Sequence, residues 1–444
     1  MEALVNDASA VPAEFAADLF IRIAGSPNLD DRARKRELLE NAFMRAYGAQ
    51  EAYKRATPVA PFDSQAGAAA RAYATGLDAL TLQLRAVAGL VPINPARARE
   101  LFEWITFYQP PSSCDSLLVP VADEYYATLA TIARRTFDAT AEGRASALRF
   151  FEIYLWRAHL PSEVPAVLRA VKTMRLARAE AGYFEGALSA IVDHVDTDPR
   201  GFSTFGLDIV PKMTELADVD RAAGVLGEAL MRAERRLLVG QLSTARCSDS
   251  ATETPIAESF NTIVRRRDFP PDLVTPLTTA DVRPAKVLGA APPERYWQSE
   301  DARRLLLAVL ALRDSAAGRR SVIIKRGNEW QAQALQFLTD LELWNGARET
   351  IERDYFDQKS LLYDIYLNVV LPGALKTRAL RSFADFLARS DTGRVPHALW
   401  FSNVRRLAEH GDTATSAMEQ SGHYLLTLYA RAERLLDNNR REHF

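Results

Sequence analysis

Along most of this chain apolar residues recur at spacings of three and four, the period of an amphipathic helix, and strict strand-like alternation is nearly absent. The first such segment carries Phe15, Ala16, Leu19, Phe20 and Ile23 on one face, with Pro12 before it and Gly25 after it. The turn SPNLDD follows, placing Asp30 and Asp31 at the positive end of the next helix. That helix would bury Leu38, Leu39, Ala42, Phe43, Ala46 and Tyr53 and leave Arg34, Lys35, Arg36, Glu37 and Glu40 in water. Two amphipathic helices joined by a short turn form an αα-hairpin, the unit expected to repeat along the chain.

The same reasoning predicts a long Ala/Leu helix over 67–90 and another opened by the N-cap pair Asn94-Pro95, carrying Ala98, Leu101, Phe102 and Ile105. Further helices are predicted over 121–137, 141–159, 162–181, 184–194, 203–216 and 218–246, with Asp198-Pro199-Arg200-Gly201 as a stop. From Cys247 to Pro293 periodicity weakens and prolines accumulate, leaving one short helix over 255–264 inside a long irregular connection. Helices resume at Ser299, with Ala302, Leu305, Leu306, Val309 and Leu310 as the buried stripe. They continue over 328–344, 345–356, 358–371, 374–390, 396–410 and 412–437. SVIIK, at 321–325, is the only strand candidate.

The fold class is therefore all-α, an array of antiparallel helical hairpins. Hairpins recur roughly every 35–45 residues, which favours a right-handed α-α superhelix (solenoid) over a large helical bundle. Three segments follow: a hairpin array over 1–246, a Pro-rich connection over 247–296 and a second array over 297–444.

Composition adds exclusions. Lys plus Arg is 55 against 57 for Asp plus Glu, a net charge of −2, so no general attraction to nucleic acid or anionic membrane is expected. No apolar run approaches the roughly 20 residues that span a bilayer; the most apolar, Leu305 to Leu312, is short and flanked by arginines. The chain opens without a basic n-region or apolar h-region, so it is expected to be soluble and cytoplasmic as written, or exported if a signal peptide has been trimmed. Cys114 and Cys247 both lie in Ser/Asp-rich, loop-like surroundings. The plainer reading is two unrelated thiols; the alternative is a disulfide closing a long loop in an oxidising compartment.

Candidate chemistry is sparse. Asp193, His194, Asp196 and Asp198 could hold a hard cation, but Asp, Pro and Gly at a helix stop make the same pattern, and the turn is preferred. None of the six histidines has ligand spacing, so no metal and no cofactor are expected. No nucleotide-binding or hydrolase motif occurs in a convincing context. Arg265, Arg266 and Arg267 beside the Pro-rich segment, and Arg319, Arg320, Lys325 and Arg326 further on, could grip an acidic partner or be ordinary solvated surface. Trp297, Glu300, Asp301 and Trp330 could serve a helical α/α-barrel enzyme, whereas Trp104, Trp156, Trp344 and Trp400 read as packing residues.

The opening PEFAADLFIRIA from Pro12, followed by KRELLENAF from Lys35, resembles the start of a group of uncharacterised bacterial helical proteins. Trp297 with Glu300 and Asp301, Glu329-Trp330, and Asp357-Gln358-Lys359 before Leu361-Leu362-Tyr363 fit the same resemblance. It implies an exported chain and brings no activity.

The leading expectation is a non-enzymatic helical scaffold binding a protein or peptide, with Arg265, Arg266, Arg267, Trp297 and Trp330 as candidate partner contacts and no site catalytic. The alternative is a helical-toroid enzyme acting on a carbohydrate or lipid-like substrate, which needs two carboxylates in a deep pocket. Oligomeric state is left open.

Overall fold

Helices begin where a side chain can satisfy the amide hydrogens that have no partner in the first turn. Asp31 accepts from the N–H groups of Ala33 and Arg34, Asn94 from Arg97, Thr140 from Gly143 and Ser299 from Ala302. The result, in a computed structural model, is an all-α chain in which neighbouring helices pack on one another. The structure describes residues 2–9, 11–56, 74–107, 114, 119–120, 122–199, 227–245, 247, 253–266, 273–281, 283, 286, 288, 297, 299–317, 328–345, 352–390 and 394–411. No helix among them is long and apolar enough to cross a membrane.

The chain divides into two compact units. The first gathers 1–52, 61–79 and 294–444; the second holds 53–60 and 80–293. The first 52 residues therefore group with the C-terminal helices, an arrangement that linear order does not express.

In the first unit, α1 (Glu2–Ser9), α2 (Ala13–Gly25) and α3 (Arg32–Ala46) are joined by α12 (Glu300–Ala317), α13 (Asn328–Leu343), α14 (Glu352–Val369), α15 (Ala374–Arg389) and α16 (His397–Gly411). The two helices pack on one another with Phe15, Leu19, Phe20 and Ile23 of α2 and Leu38, Leu39 and Phe43 of α3 buried as expected, whereas Tyr53 lies beyond the end of α3 and is only half-buried. The link across almost the whole chain is specific. The buried Glu14 carboxylate meets Nδ1 of His397, Gln50 Oε1 accepts from the His397 N–H, and Phe15 packs on Phe401 with ring centroids 4.6 Å apart. A second core joins Leu305 and Val309 of α12, Phe337 and Leu341 of α13, Tyr363 and Tyr366 of α14, Phe383 of α15 and Val404 of α16.

The second unit comprises α4 (Ala79–Leu90), α5 (Pro95–Glu103), α6 (Asp123–Arg135), α7 (Ala141–Leu155), α8 (Val164–Thr173), α9 (Arg178–His194), α10 (Glu228–Ser243) and α11 (Glu253–Arg266). Two-residue strands β1 (Arg55–Ala56) and β2 (Val119–Pro120) pair antiparallel, Arg55 opposite Pro120, and were not expected. At its centre Glu163, fully buried in the 3-10 turn Pro161–Glu163, accepts from the N–H groups of His159 and Leu160 (both 2.9 Å) and from Tyr126 Oη (3.2 Å). Burial, followed by the Glu163 charge, holds the Tyr126 hydroxyl protonated well beyond its usual range. Cys114 and Cys247 are joined by a disulfide, Cα to Cα 5.4 Å, across a separation of 133 residues. The plainer reading of two unrelated thiols is thus corrected; loop surroundings on both sides leave the backbone free to bring them together.

Several boundaries differ from expectation. The helix predicted over 67–90 starts only at Ala79 within the described residues, because Gly76 turns the chain at φ +64°. The predicted helix over 162–181 breaks at Arg175, whose φ is +49°. A new helix then starts where Glu180 accepts from the Ala177 N–H and runs unbroken to His194. Conversely, the predicted helices over 345–356 and 358–371 include one continuous α14 from Glu352 to Val369, with Asp357 inside it. Trp104 and Trp156, read as packing residues, are substantially exposed, at 47% and 40%. The strand candidate at 321–325, the helices over 203–216 and 412–437, and the basic patch Arg319 to Arg326 lie outside the described residues.

Two outcomes test this description. Unreduced protein should titrate no free thiol. Reduction should lower its melting temperature by on the order of 10 °C, since closing so long a loop is worth about 5 kcal/mol in the chain-entropy picture; two free thiols and an unchanged melt would refute the bond. Glu163→Ala should lose about 3 kcal/mol in urea unfolding, because three donors are left unsatisfied in the core, whereas a loss below about 1 kcal/mol would show that they find other acceptors.

Candidate functional site

A helix crossing a hydrophobic layer normally buries one stripe and leaves polar residues on the other face. On α14 four consecutive polar residues, Asp357, Gln358, Lys359 and Ser360, point around a full turn and all are buried. Four buried polar side chains in sequence are expensive unless each is satisfied or used, so this turn is where a specific site is to be sought.

Lys359 shows how the turn is held. It is 5% exposed. Its Nζ donates to the carbonyl of Trp344, just past the last residue of α13, and lies 3.2 Å from Tyr355 Oη. Tyr355 Oη donates to the same carbonyl at 2.9 Å. The carbonyls at a helix C-terminus carry partial negative charge, so the end of α13 is a suitable place for a cation without a carboxylate. Aromatic faces complete the surroundings: Nζ stands 6.0 Å from the Trp344 ring centre, 5.5 Å from Tyr355 and 5.3 Å from Phe386. Among the described residues no carboxylate lies within ion-pair distance of Nζ. Burial, with Arg389 adding repulsion and Glu342 partly opposing, lowers the Lys359 amine to about 8.

Lys359 lines a cavity of about 1040 Å³ formed by the end of α13, α14 and α15. Tyr363 and Phe386 supply aromatic wall, fixed by stacking of Tyr363 on Phe383 at 5.0 Å and of Phe356 on Phe386 at 5.4 Å. Burial keeps the Tyr363 hydroxyl protonated far above its usual range. The charged groups come mostly from successive turns of α15. Arg378 grips Glu342 through Nε (3.1 Å) and Nη2, Ser382 donates to the same carboxylate, and Arg389 pairs with Asp385. Arg381 lines the cavity as well. Among the described residues, four basic side chains thus line the cavity with two acidic ones, a positive surplus beside an aromatic wall. Such a lining accommodates an apolar group that carries an anion.

The residues singled out from sequence lie elsewhere. Arg265 and Arg266 are exposed at the C-terminal end of α11 in the second unit, and Arg267 lies outside the described residues. Trp297 and Trp330 are both buried in the core of the first unit. Glu300 and Asp301 form the first turn of α12, where Asp301 is 3.5 Å from Arg304. The Asp193 carboxylate is held bidentately by Arg236, and Gln241 bridges the loop by donating to the Asp196 carbonyl and accepting from the Asp198 N–H. Among the described residues no group of His, Cys, Asp or Glu is placed to hold a metal ion. None of the cavity residues is a site candidate from sequence: Trp344 reads as packing, and Lys359 and Tyr363 enter only through the resemblance. The available signal was the DQKS run between aromatic residues, which was read as a helix boundary.

No family model matches the chain, and no curated protein or solved structure matches it significantly.

Desolvation of Lys359 has a measurable consequence. Between pH of about 8 and 10.5 the unfolded chain keeps a proton on this amine that the folded chain has released. Folded wild type should therefore gain stability relative to Lys359→Met as pH rises through that window, by up to about 3 kcal/mol. Urea unfolding of both proteins at several pH values measures the difference directly, with the tyrosines cancelling; a flat difference would mean the amine is solvated.

Proposed function

We propose that this protein is a non-enzymatic helical scaffold that binds a protein or peptide partner, and that the cavity walled by α13, α14 and α15 receives a partner side chain or chain terminus bearing a carboxylate. The observation that carries this reading is the pairing of an aromatic wall with a surplus of basic groups in one cavity. Arginine forks recognise carboxylates bidentately, and aromatic walls add apolar contact without ordering a flexible chain. The joined cysteines favour an oxidising, exported setting for the encounter.

The alternative, a helical-toroid enzyme acting on a carbohydrate or lipid-like substrate, draws on Glu342 and Asp385, two carboxylates lining the same cavity. Each is already bonded to an arginine, and glycoside hydrolysis needs one carboxyl able to give up a proton. The binding reading uses the cavity as it stands and is preferred.

Selection of a displayed random-peptide library against the immobilised protein tests it. Enriched peptides should place Asp, Glu or a free C-terminus next to an aromatic or large aliphatic residue, and a synthetic copy should bind Arg378→Glu/Arg381→Glu at least about tenfold more weakly. No enrichment over the double variant would overturn the proposal.

A further inference from the structure

The geometry points to Lys359 as a carbonyl-capturing amine, which forms a reversible imine with an aldehyde or ketone that also carries an anionic group. This shares the cavity with the binding role proposed above but does not require a peptide ligand.

Three features of the site converge on this chemistry. First, Lys359 lines a cavity large enough for a small organic molecule, yet the only hydrogen-bond partners of its Nζ among the described residues are the Trp344 carbonyl and the Tyr355 hydroxyl. A lysine kept as a structural cation is normally paired with a carboxylate when it is buried. Here the carboxylates of the cavity, Glu342 and Asp385, are given to arginines instead. Second, Trp344, Tyr355 and Phe386 surround the amine and burial lowers it to about 8, so near neutral pH a larger share of it is neutral and nucleophilic than of an exposed lysine. Third, Arg378, Arg381 and Arg389 line the same cavity, and a carboxylate or phosphate on the incoming carbonyl compound can share the Arg378 and Arg389 forks with Glu342 and Asp385.

The step balances without any further reagent. The Nζ lone pair attacks the carbonyl carbon, forming a C–N bond while the π pair moves to oxygen. Nitrogen loses a proton and the oxygen gains one, and the Tyr355 hydroxyl, 3.2 Å from Nζ, can relay it. The resulting carbinolamine then expels that oxygen as water, which takes up a second proton as nitrogen gives up its remaining one and its lone pair forms C=N. Amine plus carbonyl gives imine plus water; nothing is oxidised or reduced.

The sequence makes the site easy to map, since the full chain holds only 8 lysines. Intact protein is incubated with glyoxylate or, in parallel, with uncharged propanal, each with cyanoborohydride to reduce any imine to a stable amine, and modified lysines are located by peptide mass mapping. Lys359 should be alkylated by glyoxylate about tenfold faster than the exposed Lys172 and Lys286, the gain in neutral amine being offset in part by lower intrinsic nucleophilicity. The preference for glyoxylate over propanal should be larger at Lys359 than at the exposed lysines, and Tyr355→Phe should slow the reaction at Lys359 severalfold. Labelling of Lys359 no faster than of the exposed lysines overturns the inference. The same glyoxylate-to-propanal ratio at Lys359 and at the exposed lysines overturns its anionic component. The measurement is made on wild type, so it stands even if a variant folds poorly. Labelling at Lys359 without any selected peptide would sink the scaffold reading and keep this one; selected peptides without labelling would do the reverse.

Discussion

A lysine ammonium inside an aromatic layer must be satisfied by dipoles if no carboxylate is supplied, and in the first unit that duty falls on one backbone carbonyl, that of Trp344. Because the carbonyl follows α13 while Lys359 and Tyr355 both project from α14, the two bonds it accepts tie α14 to the end of α13. Side chains of α15 then close the opposite wall through Phe386, Arg378 and Ser382. Removing that acceptor would leave a charge and a phenol without a partner in the same place, so position and chemistry depend on a single atom.

The second unit solves the mirror problem. There the buried charge is an anion, Glu163, and its partners are two amide hydrogens and a phenol from α6. Glu163 therefore fits a structural role, pinning the turn before α8 to the aromatic cluster of Tyr125, Tyr126 and Phe102. The Lys359 amine is bonded as well, but the residue lines a cavity.

Much of the helical pattern was legible in the sequence because it rests on local physics. Asp31, Asn94, Thr140 and Ser299 each have a short acceptor three or fewer residues from the amide they cap, and the stripe from Phe15 to Ile23 needs only its own period to be recognised. What could not be read depends on residues far apart. Nothing local brings Glu14 to His397 or Cys114 to Cys247. The site was hidden for a different reason. Asp357 and Gln358 break the apolar period, and a polar break normally marks a helix end; only the surrounding Tyr355, Phe356, Tyr363 and Tyr366 hint that the helix continues through a buried layer. The tendency to assign polar residues to boundaries concealed the residues with the most chemistry.

The disulfide has a mechanical consequence. Cys114 precedes α6 and Cys247 follows α10, so the chain from α6 to α10 is a covalently closed ring with two tails. Tension applied to those tails passes through the sulfur–sulfur bond and bypasses the helices inside the ring. While the bond is intact, a translocating motor or a stretched tether can extend the tails but cannot pull this segment into an open strand.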